Sequence, residues 1–287
     1  MAQRSQTFPG NAPGPFFVDH TCIDCGTCYT FVPEVFKAAG DHSEVRLQPS
    51  EAALRLKASQ ALLACPTGSI GTDDKTSIPE ATASFPVLLE AEVHWCGFTS
   101  AKSFGAWSYF IQRPVGNVLM DSPRSAPPLL KRLETLGGVS LMVLSHQDDV
   151  ADHQAFHDRF GCERVMHAGD RLEGLERTVE GTAPVALADD LLFIPTPGHT
   201  AGSACLLYRE TFLFTGDHLW WNPRLQQLSA SKTYNWFSWE QQLNSLEKLL
   251  AFGFRWVLPG HGAPRAFAGP GEARRELERA LKELRAR

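Results

Sequence analysis

The chain has 287 residues, with 27 Lys and Arg against 32 Asp and Glu and a net charge of −5 at neutral pH. That length suggests one large domain, or a large one joined to a small one, and a hydrophobic fraction of 43% suits a packed core rather than disorder. The mild acidity excludes most nucleic-acid binders, which need a basic footprint to replace phosphate counterions. No apolar run is long enough for a membrane helix, and the best, Val139 to Leu144, is a buried strand at most. The opening residues, MAQRSQTFPGNAPGPFF, lack an apolar core, so no secretory signal is expected. An odd count of seven cysteines in such a chain points to metal or redox chemistry, not to a disulfide framework. Four of the cysteines lie within the first 65 residues, whereas eight of the ten histidines follow residue 90. Two domains with different metal chemistry are therefore expected.

Residues 1–15, rich in Gly, Pro, Gln and Asn, read as a flexible arm. Residues 16–72 form a compact segment in which TCIDCGTC sets Cys22, Cys25 and Cys28 in a C-x2-C-x2-C loop, with Cys65 following in ACP. Two-residue gaps let one tight loop wrap three corners of an iron–sulfur cube, and Gly26 lets the backbone pass close by. The Pro after the distant Cys fits the bacterial cluster pattern. A structural zinc site is the alternative, although zinc usually pairs one C-x2-C with another. Ile23, Val35, Phe36 and Ile70 are expected to wall the cluster from water. With CGTC, PEVF and ACPTGSI in this order, residues 16–72 resemble a one-cluster bacterial ferredoxin of small α+β fold. The resemblance implies a [4Fe–4S] cluster carrying one electron, an external electron donor as a partner, and a reducing compartment such as the cytoplasm. Residues 73–85, polar and without periodicity, read as a linker.

From residue 86 onward strands alternate with helices. VLLEAEVHW, SYFIQ and NVLMDS read as strands, and APPLLKRLETLGG as a helix ending at its glycines. GVSLMVLSH is a buried strand followed by a helix through ADHQAFHDRFG. APVALADDLLFIPTPGH and SACLLYRETFLFTGD are paired strands, WEQQLNSLEKLLAFG an amphipathic helix, and FRWVLPGHG a strand with a loop. The terminal GEARRELERALKELRAR reads as a helix with a solvated charged surface. Such alternation favours an α/β fold of sheets covered by helices.

Four pieces place a His or Asp where an apolar strand runs into a polar or Gly-rich loop: SHQDDVADH, TPGHTAGS, FTGDHL and LPGHG. Open α/β sheets put their chemistry at such strand ends. In this order the pieces resemble the metallo-β-lactamase superfamily over residues 86–287, implying its αββα sandwich and a binuclear metal site. On that resemblance His146 is the first His of the H-x-H-x-D-H signature, and Asp152 and His153 are its closing pair. His199, Asp217 and His261 match the third His, the bridging carboxylate and the last ligand, and Asp121 in VLMDSP matches a supporting aspartate. One departure matters: QDDVA separates His146 from Asp152, two residues more than the family spacing, and the second His is missing. Asp148 keeps the H-x-D spacing and is the first choice as replacement ligand, with Asp149 next; the competing reading for both is helix capping.

A carboxylate in place of an imidazole makes the site harder and more anionic, which favours the higher oxidation state of a redox metal. Two metal ions are implied, iron favoured and zinc possible. Flavodiiron proteins, a redox branch of the superfamily, also carry a carboxylate at this position, although their flavin domain is absent here. His146, His199 and Asp217 alone make the two-His, one-carboxylate set of mononuclear iron enzymes. Two functions compete. In one, an oxidoreductase fed by its own cluster acts on a small molecule such as oxygen. In the other, a glyoxalase-II-like hydrolase cleaves an ester, thioester or lactone with metal-activated water. Trp220, Trp221, Lys232, Tyr234 and Trp236 are candidates for the roof of the pocket, and Cys96, Cys162 and Cys205 are expected to be buried thiols.

Overall fold

The computed structural model describes residues 2–286. The chain forms two compact units, one running to Ser140 and including Ala151–Cys162, the other made of Leu141–Val150 with the residues from Glu163 onward.

In the first unit, Phe16–Val18 pairs antiparallel with Ile70–Thr72, closing the two ends of the cysteine-bearing segment on each other. Phe36–Ala38 pairs with Ser43–Val45, and the helix Ala52–Ala64 stops at Cys65 because Pro66 bars its continuation. Phe16, Val18, Val35, Phe36, Ala58, Ala61 and Ile70 form the core, with Cys28 and Cys65 among them. The arm expected to be flexible is instead pinned. Asn11 Oδ1 accepts from the amides of Val18 at 3.0 Å and Val45 at 2.9 Å, and Phe8 packs on the core. The expected linker carries a helix, Ile78–Ala83, with Pro79 in its first turn. It is fastened by Ser59 Oγ to Ser77 Oγ and by Gln60 Nε2 to Ser84 Oγ, both at 2.7 Å.

The same unit continues with antiparallel strands Val87–Glu90, Val93–Trp95, Tyr109–Ile111 and Val118–Met120. The run VLLEAEVHW is thus two strands, broken at Ala91 with φ of +50°. Helices Pro127–Thr135 and His153–Phe160 complete it.

In the second unit, Leu141–Val143, Glu163–His167 and Arg177–Val179 run parallel. A six-stranded sheet follows: Val185–Ala188, Leu191–Pro195, Ala204–Tyr208, Phe212–Gly216, Trp256–Pro259 and Arg265–Ala266. Its directions position the chemistry. Leu191–Pro195 and Phe212–Gly216 each pair antiparallel with Ala204–Tyr208, and Phe212–Gly216 runs parallel to Trp256–Pro259. Three strands therefore end at the same edge. Trp239–Lys248 and Pro270–Arg285 are the helices of this unit, and the core includes Leu213, Leu219, Leu246, Val257, Leu277 and Leu281. The terminal helix is not merely a solvated charged surface. Ala273, Leu277, Ala280, Leu281 and Leu284 recur at helical spacing and are buried. The cysteines 96, 162 and 205 are fully buried. No helix among the described residues is long and apolar enough to cross a membrane.

Leu277 is fully buried, so Leu277→Ala should cost about 2–4 kcal/mol in denaturant unfolding, against almost nothing if the helix were only a solvated surface. Arg164, itself buried, donates to Glu176 from Nε at 2.9 Å and Nη2 at 2.7 Å. These bonds hold the Glu176 carboxyl down at about 2, from an ordinary 4.5. A depressed carboxyl stabilises the fold above its unfolded pKa and loses that contribution as pH falls. Glu176→Gln should therefore lower the melting temperature near neutral pH, with the deficit shrinking as pH drops from about 4.5 towards about 2.

Candidate metal centres

Cys22, Cys25, Cys28 and Cys65 line one small cavity together with Val18, Ile23 and Ile70. Gly26, at φ of +82°, makes the turn that starts the helix Thr27–Phe31 between the second and third cysteines. None of the seven thiols is in a disulfide. The amide of Ser43 donates to Cys22 Sγ at 3.4 Å and that of Ser69 to Cys65 Sγ at 3.3 Å, the kind of contact that stabilises thiolate ligands. Burial, joined by the charges of Cys65 and Cys22, pushes the Cys25 thiol up to about 11. Four thiolates this close are tenable only around positive charge, which an iron–sulfur core supplies. The donor set and its apolar lining fit a [4Fe–4S] cluster.

The second centre lies where strands end. His146 follows Leu141–Val143 and opens the short 3-10 turn Gln147–Asp149. His199, Asp217 and His261 follow the three strands that end at one edge of the six-stranded sheet. His199 Nε2 lies 3.6 Å from Asp148 Oδ2 and 3.8 Å from Asp217 Oδ2. His146 Nε2 is 3.9 Å and 3.8 Å from the same two oxygens, and His261 Nδ1 is 2.8 Å from Asp217 Oδ1. Two groups have ligand atoms within 4.8 Å of one another, His146 with Asp148 and His199, and His146 with Asp149 and Asp217. Gly260 lets the two carboxylates of the latter group close in, since a Cβ there would stand 2.6 Å from Asp149 Oδ2 and 2.9 Å from Asp217 Oδ1.

The electrostatics favour a cation. Burial alone would raise the Asp217 carboxyl, but the charge and hydrogen bond of His261 hold it far below the usual range. Asp148 is lowered chiefly by its contact with His199, and burial lowers His146, keeping it neutral. Nε2 of His146 and of His199 is buried without a hydrogen-bond partner among the described residues. Their other ring nitrogens are engaged, His146 Nδ1 with Ser145 Oγ at 2.8 Å and His199 Nδ1 donating to Tyr234 O at 2.7 Å. Because Tyr234 O can only accept, the His199 ring presents an Nε2 lone pair to the carboxylates, the usual orientation of a metal-binding imidazole.

Two supports were not visible in the sequence. Asp170, buried, accepts from the amide of Gln147 at 2.9 Å, the Thr200 hydroxyl at 2.7 Å and the amide of Gly202 at 2.7 Å. It staples the loop of His146 to the loop of His199. A strap around Tyr234–Ser238 is tied to the latter: Trp236 N–H donates to His199 O at 2.8 Å, and Asn235 Nδ2 and Ser238 N donate to Gly198 O at 2.9 and 3.0 Å. The strap holds Tyr234 and Trp236 outward, 65% and 62% exposed, with the Trp236 ring 6.4 Å from that of His199. Trp221 is instead buried in the core, against Phe267 and beneath Arg265.

Other expected ligands are used differently. Asp152 and His153 are in neither metal-type group. The Asp152 carboxylate accepts from Lys102 Nζ at 2.7 Å and from the amide and hydroxyl of Ser125, both at 2.9 Å. Asp152 stands at the N-cap position of the helix His153–Phe160, and His153 is its first residue. Asp121 is buried with φ of +56°. His218, unremarked in the sequence, is buried beside Asp217 with both ring nitrogens lacking hydrogen-bond partners among the described residues, and burial followed by the charge of His199 brings it down to about 3. Its only sequence signal is adjacency to Asp217.

Asp148→Ala should lose metal from the His146/His199 group while leaving the cluster's visible absorption intact. Asp170→Ala should weaken that metal by about 10–100-fold, measured by competition with a chelator. Retention of wild-type affinity by both variants would show that these carboxylates have no part in metal binding.

Comparison with known proteins agrees with this division. Residues 18–72 match the family model of the 4Fe-4S single cluster domain of Ferredoxin I, and residues 149–261 match that of the metallo-beta-lactamase superfamily. Among solved structures, a metallo-beta-lactamase from Pontibacter korlensis superposes with a TM-score of 0.50 at 18% identity, covering 70% of this chain and 98% of its own. ETHE1 from Myxococcus xanthus gives 0.48 at 21% identity, covering 66% and 84%. No curated protein matches the chain. The chain thus joins a small N-terminal 4Fe-4S ferredoxin-type domain to an α/β domain of metallo-beta-lactamase fold that carries a candidate metal-binding His/Asp cluster.

Proposed function

We propose that the chain is a metal-dependent oxidoreductase in which the 4Fe–4S domain supplies electrons for the reduction of a small molecule such as oxygen. The supporting observation is the carboxylate of Asp148, whose Oδ2 lies 3.9 Å from His146 Nε2 and 3.6 Å from His199 Nε2 and so adds an anionic oxygen donor to two imidazoles. On this reading His146, Asp148, His199 and Asp217 hold one metal ion, while Asp149, Asp217 and His261 offer donors for a second. When bound, such metals supply one-electron redox chemistry and Lewis acidity.

The chain's own residues prepare that chemistry. Asp148, Asp149 and Asp217 bring three carboxylates to one site, a hard and anionic donor set that suits iron or manganese better than zinc. The Nδ1 bond of His199 to a carbonyl oxygen fixes its tautomer, and the bond between His146 Nδ1 and Ser145 Oγ holds that ring in place. Low basicity of His146 and His218 keeps buried positive charge from competing with the metal. The exposed rings of Tyr234 and Trp236 offer an incoming molecule an apolar contact beside His199. The 4Fe–4S domain is the second support, because hydrolysis needs no electrons.

Metal analysis and iron spectroscopy of protein purified without oxygen test the proposal. Iron at the His/Asp cluster, reduced when the 4Fe–4S cluster is reduced and reoxidised by oxygen, is the expected result. Two zinc ions beside an intact cluster would overturn it in favour of metal-dependent hydrolysis of an ester, thioester or lactone.

A further inference from the structure

The 4Fe–4S site draws part of its structure from beyond residue 86. The helix Ala52–Ala64 delivers Cys65, and its last carbonyls need donors from outside the helix. Thr99 donates to Ala64 O from its amide at 3.2 Å and from its hydroxyl at 2.7 Å, and Arg124 Nη2 donates to Leu63 O at 3.2 Å. These bonds fix the chain immediately before Cys65.

The loop after Thr99 turns at Gly105, where φ is +83° and the amide donates to Ser100 O at 2.8 Å. Gly105 O accepts from the hydroxyl of Thr27 at 3.0 Å, within the segment between Cys25 and Cys28. A Cβ on Gly105 would lie 2.7 Å from Cys25 Cβ, 2.9 Å from Cys25 Sγ and 3.3 Å from Pro66 Cγ. The bare α-carbon is thus pressed between the second cysteine and the proline that follows the fourth. Behind it, buried Trp107 stacks on Trp95 at 4.3 Å, and Phe31, just after Cys28 in the chain, tilts against Trp95 at 4.5 Å.

We infer that the segment Thr99–Trp107 is a wall of the cluster site, closed at Gly105, so that residues outside the ferredoxin-type domain set the cluster's potential and its resistance to oxygen. The physical lever is water. A four-thiolate cluster gains one negative charge on reduction, so admitting water favours the reduced form and raises the potential, while opening a path for oxygen. Any side chain at Gly105 must push the wall off Cys25 or strain the turn. This inference is independent of the reaction at the His/Asp cluster.

Full-length protein purified without oxygen, as Gly105→Ala and Gly105→Val, tests it. The readouts are an EPR-monitored redox titration and the rate at which the cluster's visible absorption bleaches in air. The expected result is a graded one: a higher midpoint potential and several-fold faster bleaching, larger for Val than for Ala, with metal at the His/Asp cluster unchanged. Wild-type potential and bleaching in both variants would overturn the inference. If the Gly105 variants do not fold, Thr99→Val decides, since it removes only the hydroxyl bond to Ala64 O and lies off the sulfurs. Faster bleaching would support the wall, and wild-type behaviour would refute it.

Discussion

Three hydrogen bonds into the carboxylate of Asp170 hold the second unit's chemistry in place. Gln147 is one residue past His146, and Thr200 is one residue past His199, so the two imidazoles inherit the fixed spacing of their neighbours. Without this buried acid the two loops would lose the three hydrogen bonds that link them. The buried Gly202 amide would also be left without this partner, which is costly. Around this staple the rest is assembled from strand ends. Parallel pairing of Phe212–Gly216 with Trp256–Pro259 brings Asp217 beside His261, and Gly260 lets Asp149 approach them.

What results is an arrangement with surplus negative charge. Three carboxylates gather within reach of three imidazoles, and burial keeps His146 and the adjacent His218 neutral. Nitrogen lone pairs buried without partners and carboxylates kept ionised are unfavourable separately and complementary to a cation together. The strap at Tyr234–Ser238 adds an orientation constraint on one side, since His199 is bonded to it through both its ring and its backbone.

Much of this was legible in the sequence, and the exceptions share a cause. The cysteine ladder could be read because three of its ligands lie within one short loop and the fourth announces itself by its proline. His146, His199, Asp217 and His261 could be read because each ends an apolar run in a Gly-rich or polar loop. Asp152 and His153 were read from a motif that this chain lengthens by two residues, and a motif does not show that the Asp152 carboxylate is engaged by Lys102 and Ser125 at a helix start. Asp170 and Thr99 left no trace because a hydrogen bond between residues dozens of positions apart has no period. In the terminal helix the abundance of charge hid an apolar stripe of Ala and Leu.

Thr99, Gly105 and Arg124 also change what counts as a part in this molecule. A boundary drawn from sequence falls near residue 85, yet the carbonyls before Cys65 and the flank of Cys25 are finished by residues well past it. A segment cut at that boundary would carry every ligand and still lack one side of its own container. Recombination that swaps one redox module for another would therefore succeed here only if the exchanged piece reached through Trp107, or if the recipient loop already matched.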